Sequence, residues 1–318
     1  TGTAPLRSAV AEHIRQHGID TDPDNIIIFN SVVDAMSAIF SATLHPGMNF
    51  HVFDHDTISM TGIVSSYGCM LHNIPHNGTG YDFSLLKSMA KRKLGNFLYL
   101  NCLNHSPTGI SLRENDRDEL VEICKSNRFP VIEMDLMRDL WRDTPLPPLK
   151  ASKIDNQVFY VGNFSFMAFI GLRLAWVVIP RELMGRIIDI KAQLFGATSN
   201  ILEQLAYELL SSGRYARHAE EVRSMLPVRV DAVDELLNKH MKDLASWNKD
   251  NISICTWLTL KEGIDSVKIL TECPEICFSV HKSRSGVSHI MFNTLAPGLE
   301  ELDRALAILS AAARRQLA

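Results

Sequence analysis

Residues 162–176 read GNFSFMAFIGLRLAW. The stretch has the outline of a strand, a tight small-residue turn, and a second apolar strand through the arginine-bearing Leu172-Arg173-Leu174-Ala175-Trp176. Its flanks extend both strands. QVFYVGNF covers 157–164 and RLAWVVI covers 173–179, with few polar residues in either. Strands that are apolar on both faces belong to sheets covered on both sides, as in α/β proteins.

The pattern repeats toward the N-terminus. IIIF (26–29), NFHVFD (49–54), MLHNIP (70–75), NFLYLNC (96–102) and PVIEMD (130–135) read as strands. Helical spacing covers 4–17, 33–43, 57–67 and 83–92, and Ser111-Leu112-Arg113-Glu114 has the spacing of a capping box for the next helix. Strands alternating with helices predict an α/β fold, a three-layer, mainly parallel sheet. The character changes after Pro180. Long helical patterns run over 181–243, followed by strands at 252–260, 275–280 and 289–294 and helices at 264–271 and 299–316. The expected division is a large domain over 1–185, then linking helices and a smaller C-terminal α+β domain over 186–318.

The 318 residues are 46% hydrophobic and 21% charged, with a net charge of −4. That balance gives no global attraction to nucleic acid or anionic membrane. No apolar run approaches the ~20 residues of a spanning helix. Cysteines 69, 102, 124, 255, 273 and 277 are scattered, which suits reduced thiols in a cytoplasmic protein. Cys273-x3-Cys277 has no second pair nearby, and His51, Asp54, His55 and Asp56 fit no metal spacing, so no metal is expected.

In sheets of this kind ligands sit beyond the carboxyl ends of the strands. The loops at 30–34, 54–58, 102–109, 134–138 and 163–173 should therefore converge. In their order and spacing, these loops resemble the type I fold of pyridoxal-phosphate (PLP) enzymes, the aspartate aminotransferase superfamily. Within it they resemble the aminotransferase-like domain of MocR-type regulators of the GntR family. The motifs carrying the resemblance are Gly2 with Leu6-Arg7, HPGM (45–48), SPTG (106–109), VIEMDLMRDL (131–140), GNFS (162–165) and GLRLAW (171–176).

The resemblance implies a PLP-binding lysine directly after Ser165, and the residue there is Phe166. No lysine lies between Lys153 and Lys191, so no shift of register supplies one. The phosphate turn reads Asn30-Ser31-Val32-Val33-Asp34, with valines at the close-approach positions and an acid facing a dianion. The ring-stacking aromatic falls at Ile58. The carboxylate motif reads Glu133-Met134-Asp135-Leu136-Met137 without its tyrosine, and the asparagine before Pro107-Thr108-Gly109 is Ser106. The substrate arginine falls within Ile290-Met291-Phe292. What remains of the family set is the Pro107-Thr108-Gly109 turn, Ser165, Arg173 and Asp135. These losses mostly replace polar groups by apolar ones. An uncompensated phosphate in such a pocket would cost at least several kcal/mol. The expectation is a domain that holds no PLP.

The ligand-pocket candidates are accordingly Val32, Val33, Asp34, Ile58, His105, Ser106, Asp135, Met137, Asn163, Ser165, Phe166, Arg173 and Met291. Each has a plainer alternative. Phe166 either lines a pocket or fills the cofactor space as core. Met134, Met137 and Met291 either form an adaptable apolar surface or pack. Arg173 either binds an anion or forms a structural ion pair. His105 either contacts a ligand or holds its loop. The resemblance implies a homodimer that senses a small-molecule effector. It implies DNA contact only through a winged-helix domain, which these residues do not contain; the chain is expected to be the C-terminal part of a longer protein. The alternative is an aminotransferase-like enzyme or biosynthetic protein whose remodelled pocket binds substrate or PLP without the lysine.

Overall fold

The computed structural model describes residues 1–53, 61–76, 80–91, 95–141, 144–164, 171–283 and 286–317. They form two compact units, Thr1–Leu103 with Leu112–Glu221, and Asn104–Ser111 with Val222–Ala318. The sequence-based division was drawn at 185–186, so the helices that follow it cluster with the first unit as far as Glu221.

The first unit is built on a seven-stranded sheet: β1 (Ile26–Phe29), β2 (Asn49–Phe53), β3 (Met70–Ile74), β4 (Asn96–Leu100), β5 (Val131–Met134), β6 (Val158–Asn163) and β7 (Ala175–Val178). The order across it is β1-β7-β6-β5-β4-β2-β3. Strands β3, β2, β4, β5 and β6 run parallel. β7 is antiparallel to both β6 and β1. The stretch 162–176 closes on itself here, since Gly162 pairs with Trp176 and Asn163 with Ala175. β1, β2, β4, β5, β6 and β7 are buried along their whole length, which is why they read as mainly apolar runs. β3 is the edge and is exposed at Met70.

Helices α1 (Ala4–Arg15), α2 (Val32–Thr43), α3 (Thr61–Ser66), α4 (Ser84–Ala90), α5 (Glu114–Asn127), α6 (Met184–Leu194) and α7 (Asn200–Ser211) complete this unit, with the start of α8 (Arg214–His240). Phe40 of α2 meets Phe50 of β2 edge to face at 5.7 Å, and Phe50 stacks on Phe97 of β4 at 5.4 Å. The capping box expected at 111–114 does not form. α5 starts at Glu114 behind Arg113, and the Ser111 hydroxyl instead accepts from the Asn104 N–H at 3.0 Å.

His51 lies inside the sheet, and Asp54, His55 and Asp56 lie outside the described residues. The His51 ring shares a hydrogen bond with Asn96 Oδ1 at 2.9 Å and stacks on His72 at 5.2 Å. Burial pushes its pKa down from 6.5 to about 4, with the Asn96 bond opposing and His72 assisting. A depressed folded value means that the neutral ring stabilises the fold fully above pH 6.5. That contribution is lost as pH falls through about 4. Urea unfolding between about pH 7 and about pH 4 should show roughly 3 kcal/mol from this source. The His51→Leu variant should lose that much less stability over the same window. An identical pH slope in the variant would rule out His51 as the source.

The second unit carries a four-stranded antiparallel sheet of β8 (Ala245–Ser246), β9 (Cys255–Leu260), β10 (Ser279–Lys282) and β11 (Ser288–Asn293), ordered β10-β11-β9-β8. β9 alternates, with Thr256, Leu258 and Leu260 buried, so one face is packed. α9 (Ser266–Glu272) lies in this unit, and Leu302, Leu306 and Leu309 of α10 (Leu299–Arg315) pack with Leu258 and Ile290. The strand expected at 275–280 lies instead at Ser279–Lys282. No helix among the described residues is long and apolar enough to cross a membrane.

Candidate functional site

The end of β5 delivers two carboxylates that point into the first unit. Glu133 accepts the backbone N–H groups of Leu149 and Lys150 at 2.7 and 2.9 Å. Burial pushes its carboxyl up to about 7, and the Asp135 charge adds to the shift against those two donors. Lys150 is engaged as well. Its amine, pushed down to about 8 by burial, donates to the carbonyls of Asp155 and Val158.

Asp135 lies one residue past β5, and its N–H donates to the Val161 carbonyl at 2.9 Å. Its Oδ2 accepts from Arg138 Nε and, at 2.9 Å, from the Tyr160 hydroxyl. Arg138 and Asp135 are both almost fully buried. Burial opposes the arginine charge, and the Asp135 carboxylate together with Tyr160 and Glu133 outweighs it and holds the guanidinium protonated. Burial also raises the Tyr160 hydroxyl well above its usual range, so it stays a donor. Asp135 Oδ1 is buried and has no hydrogen-bond partner among the described residues. A buried carboxylate oxygen without a donor is costly, so this atom is a ready acceptor for one.

The other first-unit candidates lie at strand and helix ends. Ser31 caps α2, accepting the Asp34 N–H at 3.0 Å, and Asp34 stands in its first turn. Val32 packs on the same apolar cluster as Leu136. Val33 is 46% exposed. Asn163 is buried at the end of β6, Met137 is half-buried, and Arg173 is exposed just before β7. Ile58, Ser165 and Phe166 lie outside the described residues.

Three candidates belong to the second unit. His105 is buried and shares a hydrogen bond with the Thr108 hydroxyl at 2.9 Å, which holds its loop. Ser106 beside it is exposed. Met291 sits half-buried on β11 opposite Trp257. Two residues of the Asp135 network, Arg138 and Tyr160, were not candidates from the sequence. Arg138 had a legible signal, three residues after an acid. Tyr160 had none, because only the β5–β6 pairing brings it there.

The family model for aminotransferase class I and II matches residues 1–268. The chain belongs to that family. This aminotransferase-family chain is 29% identical over 273 residues to the HTH-type transcriptional regulator YdfD of Bacillus subtilis (strain 168), covering 85% of the chain. It is 30% identical over 264 residues to YisV of the same organism, another HTH-type transcriptional regulator, covering 83% of the chain. The chain spans about half the length of these relatives, 56% and 54%. Among solved structures it matches the Pyrococcus horikoshii kynurenine aminotransferase, with a TM-score of 0.89 at 22% identity, over 100% of this chain and 81% of that one. An archaeal alanine:glyoxylate aminotransferase gives 0.90 at 20%, over 99% and 81%. At such identities the structural likeness speaks for the fold alone.

Proposed function

We propose that this domain performs no transamination and acts as the effector-sensing, dimerising part of a cytoplasmic MocR-type transcriptional regulator. The observation that carries the reading is the absence of any amine between Lys153 and Lys191 in the sequence, the segment where this family places its Schiff-base lysine. Two features of the site support it. The α2 N-terminus, where a cofactor phosphate would sit, is capped by Ser31 and carries the Asp34 carboxylate, which repels a dianion. Asp135, the residue matching the family's pyridinium partner, has Oδ2 engaged by Arg138 and Tyr160, which leaves a single oxygen, Oδ1, for any ligand. The donor set therefore does not fit PLP held as an internal aldimine.

The domain instead binds a small, weakly polar molecule that brings one hydrogen-bond donor to Asp135 Oδ1. In such a regulator DNA contact comes from the helix-turn-helix portion for which the relatives are named. A second reading is favoured by that same free oxygen, which also suits a protonated ring nitrogen. In it the cofactor binds without a covalent link.

Mixing the purified protein with excess PLP, removing the free cofactor and recording the visible spectrum before and after borohydride separates these readings. The proposal expects no retained band and no reduced adduct. A retained band that borohydride does not fix to the chain supports the second reading. An adduct trapped on a lysine overturns both and returns the chain to the enzymes.

A further inference from the structure

A second polar cluster lies in the first unit, apart from the Asp135 site, where α1 ends. α1 closes at Arg15, and Gly18, at φ +83°, lets the chain turn back so that the Gly18 N–H reaches the Arg15 carbonyl at 2.9 Å. The turn keeps His17 one helical turn beyond His13. Both imidazoles face Asp139, which follows β5 by five residues. His13 Nε2 is 3.1 Å from Asp139 Oδ2, and His17 Nε2 is 3.2 Å from Oδ1. The Tyr215 hydroxyl donates to Oδ2 at 2.8 Å. One nitrogen from each histidine and one carboxylate oxygen all lie within 4.8 Å of one another.

We propose that His13, His17 and Asp139 bind a divalent first-row cation, zinc by ligand preference. Two imidazoles and a carboxylate suit this class of ion and not magnesium or calcium, which take oxygen ligands. In tetrahedral zinc with bonds of about 2.0–2.1 Å, adjacent ligand atoms stand roughly 3.3 Å apart. His13 Nε2 and His17 Nε2 stand 3.1 and 3.2 Å from the two different oxygens of the Asp139 carboxylate, so each imidazole is already about a ligand-to-ligand spacing from one carboxylate oxygen. The ion enters where the two Nε2 atoms and the carboxylate converge, and small side-chain rotations complete the site.

The surroundings support a site with an open position. The three side chains are 13%, 15% and 18% exposed, so the site is sheltered and still reachable. His13 and Tyr215 also line an open cavity of about 770 Å³ together with Glu12, Gln16 and Tyr207, so the His13 side of the cluster borders space from which an ion and a water can approach. Binding at Nε2 places the ring hydrogen of His13 on Nδ1. Gln16 Nε2 stands 3.2 Å from Nδ1, and on metal binding a half-turn of that amide would bring its oxygen to the same place to accept the hydrogen and fix the tautomer. Arg138 adjoins Asp139, so an ion here also restrains the turn that carries the partner of Asp135.

The test is zinc titration of the chelator-treated protein by calorimetry, with zinc itself as the probe. One zinc per chain is expected, with binding weakened at least tenfold in His17→Gln and in Asp139→Asn, the scale on which supporting residues alone affect metal affinity. Circular dichroism without metal shows whether each variant is folded. Zinc absorption-edge spectroscopy on the unaltered protein does not depend on the variants. It should give a nitrogen and oxygen shell at about 2.0–2.1 Å with imidazole scattering. A shell containing sulfur at about 2.3 Å would place the metal on cysteine, such as the exposed Cys277, and overturn the proposal. Equal affinity in folded His17→Gln, or no zinc bound by the unaltered protein, would overturn it as well.

Discussion

Replacing Arg138 with methionine is expected to destabilise the protein by about 3–5 kcal/mol, the range for removing one member of a buried ion pair. The guanidinium does two things. Its Nε donates to Asp135 Oδ2, and Nη1 donates to the Leu146 carbonyl at 3.0 Å. Methionine fills similar volume and supplies neither. The Asp135 carboxylate would remain almost fully buried, with Glu133 two residues away and, among the described residues, only the Tyr160 hydroxyl bound to its side chain. The loss comes from stranding that charge rather than from the net worth of the pair. The double variant Arg138→Met with Asp135→Asn should therefore be more stable than Arg138→Met alone by about 1–3 kcal/mol, since the amide keeps an acceptor for Tyr160 and carries no charge. Denaturant midpoints of the four proteins in this cycle provide the check. A loss under about 1 kcal/mol in Arg138→Met would mean that water reaches Asp135, and the site would then be open without a ligand.

The same network shows what was legible in the sequence. β1 was read correctly to the residue as IIIF, because burial on both faces leaves only apolar residues there. The central strands were readable for the same reason. β10 was not. The apolar Ile276-Cys277-Phe278 attracted the strand assignment, whereas the strand is the polar Ser279–Lys282, held by its pairing with Ser288–Met291. That pairing is a property of the folded sheet and leaves no mark on the segment itself. At the site, Asp135 was readable from its motif and Arg138 lay one helical turn away. Tyr160 and the joining of His13 and His17 to Asp139 required chain separations of 25, 126 and 122 residues to close. A capping box at Ser111 was a sound local reading that lost to the competing Asn104 N–H. Periodicity records burial, and the fold follows from it. Polar constellations depend on which elements meet, and only the assembled sheet decides that.

Gly162→Ala should be among the most destabilising single-methyl additions in the first unit. Gly162 lies in β6 directly opposite Trp176 of β7, the two ends of the stretch that turns back at 162–176. A Cβ on Gly162 would stand 2.1 Å from Trp176 Cζ2 and 2.5 Å from Cε2 and Cη2. Those are contacts no side chain makes, so either the indole or the strand pairing must move. The indole has little room, being 5% exposed and packed against the Tyr160 ring at 5.5 Å. Displacing it presses on Tyr160, whose hydroxyl holds Asp135, so the strain passes into the candidate site. Overpacking of this kind costs about 1–3 kcal/mol, and the upper end is expected because neighbours on both strands are fixed by the sheet. Trp176→Phe removes the atoms that collide. The combined Gly162→Ala and Trp176→Phe protein should therefore be about 1–2 kcal/mol more stable than the sum of the single effects predicts. Thermal or denaturant unfolding of the set measures that coupling. Simple additivity would mean that the backbone at 162 yields instead of the ring. The close approach of β6 to the indole would then be an adjustable contact, and Tyr160 would not be positioned by it.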